Sequence, residues 1–309
     1  MPDWKPIRTG EGLLIHGDNL EVLTTLASAW GSCVDLIYAD PPFGSGKVYD
    51  SQDGSGRPAR GFRDLWPRGL EQYLGWLSGR LEIMRELLAD RGSLMLHLDA
   101  HAVHYVKIEM DRIFGRKNFL NEIIWHYTGG GRSRSYFSRK HDTILWYRKG
   151  KEWIFHLDAV RVPYEKTSGY ARSGIVSARG KRYLPNPLGT PVDDVWRIPM
   201  VNPMSTERTG YPTQKPEALL ERILKGCSSR GQLVADPFCG SGTTGVVAAR
   251  LGRRWLLCDD SKNAVTVARK RIGAGNGTRA CRETVGPPAI SAYRFQIAGR
   301  ETGRSRVRK

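Results

Sequence analysis

Two apolar runs in this chain each end on an aspartate that is followed at once by proline. One is "DLIYADPPF", reaching Asp40, Pro41, Pro42 and Phe43; the other is "QLVADPFCGSGTT", reaching Asp236. A short apolar run without polar alternation suits a parallel strand covered on both faces. Proline fixes φ and has no N–H, so neither run can carry its ladder far past the acid. A carboxylate is therefore left at the carboxyl end of each parallel strand, where open α/β sheets hold their ligands.

The rest of the pattern agrees with an α/β chain. "GLLIHGDNLEVLTTL" reads as strand, Gly-Asp turn and helix start. Leu70, Tyr73, Leu74, Leu77, Leu81, Met84 and Leu88 recur at helical spacing, with Gly92 expected to end that helix before strand "SLMLHL". "AVHYVKIEMDRIFG" is a helix closed by Gly115, and "NEIIWHY" and "DTILWY" are two more strands. "PEALLERILKGCSSRG", "TTGVVAARLG" and "NAVTVARKRI" are helices, with strand "RWLLCD" before the last of them. Strands alternating with helices predict a doubly wound, mostly parallel α/β sheet. Residues 12–153 form its first half and 211–273 its second. Residues 154–210, weakly patterned and proline-rich, are expected to be a small insertion. Lys47–Pro67 is expected to be a loop, and 274–309 a basic flexible tail ending in "GRETGRSRVRK". No internal repeat is visible.

Net charge over the 309 residues is +17, which favours a polyanionic partner through counterion release from phosphates. No apolar run approaches the roughly 18 residues of a membrane helix, and "MPDWKPIRTG" has no signal core, so a cytoplasmic protein is expected. The five cysteines form no CxxC pair, which argues against a zinc site or a disulfide framework. The seven histidines show no ligand spacing; His97, His101 and His104 are expected to be structural, and no metal is expected.

The second acid-ended run continues into a small-residue turn and a helix start, the layout of a Rossmann-type nucleotide site. It lacks the GK[ST] ending of a P-loop and the full GxGxxG. Asp259 closes the next strand and is placed to accept ribose hydroxyls. Asp236 would repel a pyrophosphate but suits a cationic amine. Adenosine joined to an amine describes S-adenosylmethionine (SAM) better than NAD. In the first run, Asp40 and the Pro41 carbonyl make a pair of acceptors beside the flat face of Phe43. That set suits a planar –NH2 group, such as the amine of adenine or cytosine. Two acceptors would hold its protons and turn the nitrogen lone pair toward an electrophile.

"DPPF" and "DPFCGSGTT", in that order, resemble the beta class of amino DNA methyltransferases. "GDNLEVL", "HLDAHAVHYVKIEMDRIFGRKNFLNEIIW", "HDTILWY" and "RTGYPTQKPEALLERI" are similar to other blocks of that class, so the resemblance spans about Gly12 to Ile272. It implies a circularly permuted Rossmann-like methyltransferase sheet, SAM as methyl donor and the exocyclic amine of a flipped DNA base as acceptor. It makes Asp40, Pro41, Pro42 and Phe43 the catalytic motif, and Asp236, Phe238, Gly240, Gly242 and Thr243 the SAM loop. It further implies Asp259 as the ribose acid, Asp18 near the SAM adenine, and Thr213 and Lys215 at the SAM carboxylate. Asp260, directly after Asp259, departs from the family pattern and leaves the ribose ligand open between the two. Aspartate at the motif's first position is commoner in the adenine-N6 enzymes than in the cytosine-N4 ones, so adenine is expected and cytosine-N4 is the alternative.

Double-stranded DNA is the expected partner, gripped by "GRSRSYFSRK" through Arg132, Arg134, Arg139 and Lys140 with Tyr136 or Phe137 stacking. Residues 154–210, with Arg161, Lys166, Arg172, Arg179, Lys181 and Arg182, are the expected target-recognition region. A homodimer and a cognate restriction endonuclease are further expectations drawn from the family. Cytosine carbon-5 methylation is disfavoured, because Cys33 sits before its strand and away from proline. RNA or protein-glutamine methylation is disfavoured by the motif order. A non-catalytic nucleic-acid-binding scaffold is disfavoured by intact Asp40 and Asp236.

Overall fold

The alternation of apolar runs folds into a 10-stranded sheet. The computed structural model describes residues 5–52, 58–59, 63–129, 131–165, 168–274, 279–283 and 290–296. Lys166 and the end of the expected tail lie outside the described residues. The sheet strands are β1 (Glu11–His16), β2 (Val34–Ala39), β3 (Leu88–Leu98), β4 (Phe119–His126), β5 (His141–Arg148), β6 (Val195–Arg197), β7 (Leu233–Asp236), β8 (Arg254–Asp259), β9 (Arg279–Glu283) and β10 (Ser291–Gln296). Their order across the sheet is β6-β4-β5-β3-β2-β7-β8-β1-β10-β9. Neighbours from β3 to β1 are parallel; β5 and β10 flank that block antiparallel.

The helices are α1 (Asn19–Trp30), α2 (Gly69–Leu87), α3 (Val103–Met110), α4 (Glu217–Cys227), α5 (Thr243–Arg250) and α6 (Lys262–Ala274). Strand periodicity of two sends alternate residues into two cores. Leu13, Ile15, Ile37 and Ala39 pack with Leu23, Leu77, Leu81 and Val106 of α1, α2 and α3 on one face. Leu14, Leu36 and Tyr38 pack with Leu220, Ile223, Val247, Ala268 and Ile272 of α4, α5 and α6 on the other. Each such leucine or isoleucine contributes about 1.5–3 kcal/mol by leaving water. No helix among the described residues is long and apolar enough to cross a membrane.

The sheet differs from the sequence expectation in four places. Helix α2 ends at Leu87 and β3 begins at the next residue, so Gly92 lies inside a strand rather than at a helix end. A Cβ at Gly92 would stand 2.7 Å from the Val34 carbonyl, so glycine here permits close approach to β2 beside its bulge. The segment from Lys47 carries short antiparallel pairs, Lys47–Val48 with Arg63–Asp64 and Ser51–Gln52 with Pro58–Ala59. The middle segment supplies β6, which joins the main sheet beside β4 because Trp196 has a core to enter. The stretch expected as a tail from residue 274 contains β9 and β10; β10 pairs along all of β1 and buries Ala292 and Phe295.

The chain order places the site. From β2 the chain steps outward to β3; from β7 it steps the opposite way to β8. The neighbouring ends of β2 and β7 are therefore a topological switch point, the usual ligand crevice of such sheets.

Candidate active site

Asp40 and Asp236 stand at the ends of these two adjacent parallel strands, in the wall of one cleft of about 910 Å³. Pro41, Pro42, Phe43, Asp18, Thr213, Lys215, Phe238, Gly240, Thr243 and Asp259 line the same cleft. Of the cofactor residues named from the sequence, only Gly242 is not in its wall. Gly242 instead caps α5 at φ +77°, and a Cβ there would stand 2.8 Å from the Ala268 Cβ. Its substitution Gly242→Ala is expected to lower stability by about 1–2 kcal/mol from the left-handed backbone alone, with the clash adding more. Thermal unfolding checks this, and an unchanged melting temperature would refute it.

The Asp40 carboxylate is mostly buried. Its Oδ2 accepts from the Lys215 ammonium, and its buried Oδ1 has no hydrogen-bond partner among the described residues. An unpartnered buried carboxylate oxygen is costly unless something donates to it. Phe43 is backed by His97, ring centroids 6.1 Å apart and planes 19° off parallel. His97 is fully buried and bound to the Tyr38 hydroxyl at 2.8 Å and to Asp142 at 3.2 Å.

Asp236 is buried. Thr244 Oγ1 donates to its Oδ2 at 2.5 Å and the Phe238 N–H to its Oδ1 at 3.1 Å. Asp259 accepts from the Gly240 N–H at 2.8 Å and the Ser261 N–H at 2.9 Å. A carboxylate offers about four acceptor sites, so both keep capacity for a ligand. Burial pushes the Asp236 carboxyl up to about 7 against those two hydrogen bonds, and the charges of Asp40 and Asp259 add to the rise. Burial likewise pushes Asp259 up to about 7, with the charge of Asp260 adding.

Several of the residues the resemblance assigns to the cofactor also hold contacts within the protein. Lys215, expected at a SAM carboxylate, donates to Asp40. Asp18 caps α1, accepting from Leu20 and Glu21, and pairs with Arg80 at 2.7 Å. The Thr243 hydroxyl donates to the Lys215 carbonyl and accepts from Arg271 at 2.8 Å. Thr213 sits at φ +60°, a costly conformation for a β-branched residue and a mark of local constraint.

Sequence reasoning passed over Trp76, Arg80, Tyr211 and Asp64, all in the cleft wall. Arg80 was visible as a charge inside the apolar stripe of α2. Its guanidinium lies 4.1 Å from the Trp76 ring centre and donates to Asn19 at 2.6 Å. Nothing in the local pattern marked Asp64.

The basic loop between β4 and β5 opens at the same edge of the sheet. Thr143 pairs with Leu98, and His126 with His141, so both loop ends lie at the carboxyl end of β3 beside β2. Phe137 is 99% exposed, and Arg132, Arg134, Tyr136 and Arg139 are exposed. Lys140 differs from the rest: its ammonium donates to the carbonyls of Gly129 and Gly131, stapling the loop.

With this geometry in place, comparison with known proteins decides the family. The family model described as DNA methylase (N6_N4_Mtase) matches residues 34–270. The chain belongs to that DNA methylase family. It is 30% identical over 84% of its length to the DNA adenine methyltransferase YhdJ of Escherichia coli K12, of which 82% is covered. It is 29% identical to the type II methyltransferase M.ScaI of Streptomyces caespitosus, covering 86% of this chain and 83% of that one. Among solved structures, the cytosine-N4-specific PvuII DNA methyltransferase superposes with a TM-score of 0.60 at 17% identity, covering 88% and 90% of the two chains. The SAM complex of M1.HpyAVI superposes with a TM-score of 0.54 at 21% identity, covering 84% and 98%. The protein is thus a SAM-dependent DNA amino-methyltransferase on a mixed α/β sheet.

Proposed function

We propose that the enzyme methylates the N6 amine of an adenine flipped out of double-stranded DNA. The observation that carries this reading is the buried Asp40 Oδ1, without a hydrogen-bond partner among the described residues, in a cleft that Pro41 also lines. The lining of the cleft fits SAM: two carboxylates and a glycine turn suit the cationic amine and ribose of a nucleoside sulfonium better than a phosphate. When bound there, SAM supplies a methyl group made electrophilic by its sulfonium.

The residues of this chain do the rest. Asp40 Oδ1 and the Pro41 carbonyl each accept one amine proton, which draws the nitrogen toward a tetrahedral shape with its lone pair facing the methyl. Lys215 holds the other Asp40 oxygen, keeping the carboxylate aimed. The nitrogen forms its new bond as the carbon–sulfur bond breaks, and the surplus proton leaves through Asp40 or water. No covalent enzyme intermediate is needed; orientation and fixed acceptors supply the acceleration. Phe43 offers a stacking face for a base taken out of the helix. Asp236 faces the cationic amine, and Asp259 or Asp260 the ribose.

Adenine is favoured over cytosine by the aspartate at position 40 and by the adenine specificity named for the Escherichia coli relative. The test is incubation with labelled SAM and unmethylated genomic DNA, then digestion and identification of the modified nucleoside. N6-methyldeoxyadenosine is expected; N4-methyldeoxycytidine would replace the base assignment, and label in RNA or protein alone would overturn the reading.

The exposed arginines of the 131–140 loop are proposed to hold phosphates, and residues 154–210 to read the target. Neutralising Arg132, Arg134 and Arg139 together is expected to weaken DNA binding about tenfold or more and to flatten the log Kd against log salt slope by about 2–3. An unchanged slope would remove this loop from the interface. The enzyme would work in the cytoplasm with the DNA, as a homodimer and beside a cognate endonuclease of matching target.

A further inference from the structure

We infer that Asp64 is the positioning residue of the catalytic loop, setting where Asp40 and Phe43 stand. This rests on the base-binding role proposed for that loop. Asp64 is only 1% exposed, yet it has no cationic partner among the described residues. Five donors converge on it instead. Its Oδ2 accepts from the Phe43 N–H at 3.2 Å, the Ser45 N–H at 2.7 Å and Ser45 Oγ at 2.7 Å. Its Oδ1 accepts from the Gly44 N–H at 3.0 Å and Trp66 Nε1 at 2.7 Å.

The sequence explains why so much falls on one side chain. Pro41 and Pro42 have no N–H, so the first backbone donors after Asp40 are those of Phe43, Gly44 and Ser45. All three point at Asp64. Gly44, at φ +71°, turns the chain so that successive N–H groups form an anion-binding concavity. Gly44 also lies against the Tyr73 ring, 3.5 Å from where its Cβ would be. The carboxylate thus occupies a nest made by the catalytic loop itself and ties it to Trp66 and the aromatic bed of Trp66, Tyr73 and Trp76.

Asp64 also closes the excursion that leaves at Gly46 and returns at Arg63. The two ends meet as an antiparallel pair, Lys47 opposite Asp64. Asp64 does not touch the reacting amine; it acts through the peptide groups that place Phe43 and, through the two prolines, Asp40.

The substitution Asp64→Asn keeps the size but turns an amide –NH2 toward backbone donors. Its expected effect is about a 30-fold fall in the single-turnover rate of methyl transfer to unmethylated genomic DNA at saturating SAM. The Kd for SAM, measured by calorimetry without DNA, should stay within about threefold. Trp66→Phe removes one donor of five and should cost only a few-fold in rate. A rate for Asp64→Asn within threefold of the parent overturns the inference. So does a rate that falls only in proportion to SAM affinity or to the folded fraction read by circular dichroism. Should Asp64→Asn fail to fold, Trp66→Phe decides: an unchanged rate overturns the inference. Should Asp40→Ala keep full activity while Asp64→Asn loses it, the base-binding reading fails and the clamp stands.

Discussion

Replacing Asp40 by alanine is expected to reduce methyl transfer at least about a thousandfold while leaving a folded, SAM-binding protein. Removing one preorganised hydrogen-bond partner from a transition state costs roughly a hundred- to a thousandfold. Here the loss is larger, because the same carboxylate also balances the Lys215 ammonium inside the cleft. Without it Lys215 is left near the Phe43 ring, 5.6 Å from its centre, as a charge facing the developing positive amine. The rate should therefore fall below what the loss of one acceptor predicts. Asp40→Asn separates the two effects: its carbonyl still accepts a proton, but Lys215 is unbalanced. It should retain more activity than the alanine variant and still fall about a hundredfold. Single-turnover rates with labelled SAM test this. Alanine activity within tenfold of the parent would remove Asp40 from the chemistry and send the search to another acceptor.

The acid-ended strands were legible because their chemistry is local. Proline after aspartate stops a ladder wherever it occurs, and the glycine turn of Gly240 and Gly242 needs backbone angles that few other residues adopt. The adjacency of the two strands was not local; it came from motif order and resemblance, and the sheet then placed Asp40 and Asp236 in one cleft. The partners of the charged groups were least legible. Lys215 meets Asp40 across 175 positions, Asp18 meets Arg80 across 62, and Asp64 meets Phe43 across 21. No periodicity encodes such pairs. The edge strands failed for a related reason: β6 is three residues long, and β9 and β10 lie in polar, basic sequence. β6 and β10 are strands because β4 and β1 offer them open ladders, and β10 in turn offers one to β9, a tertiary effect that outweighs weak local preference.

If Asp236 and Asp259 meet SAM as proposed, their raised carboxyls should make its binding depend on pH, with a direction that follows from linkage. In the free protein burial pushes Asp236 and Asp259 up to about 7, so both hold much of their proton at pH 5.5 and release it by pH 7.5. A cationic amine and donating hydroxyls favour the ionised forms. Affinity should then rise with pH through this window and level off above it, by about 25-fold if one carboxylate must ionise and by several hundredfold if both must. An α-amino group is half-deprotonated at about 7.7–8.0, so the gain levels off toward the top of this window. Stability of the free protein runs the other way. An unfolded aspartate ionises near 3.9 while these two retain protons, so the native state binds more protons between about pH 4 and 7, and stability falls as pH rises through that interval. Asp236→Asn removes one titration: the pH slope of log Kd should roughly halve, and the loss of melting temperature between pH 5 and 7 should shrink. Calorimetric Kd values and melting curves at half-unit intervals measure both. A Kd flat from pH 5.5 to 7.5 would mean that these carboxylates already bind SAM in their protonated forms, with Asp236 serving the loop through Thr244 rather than meeting the amine.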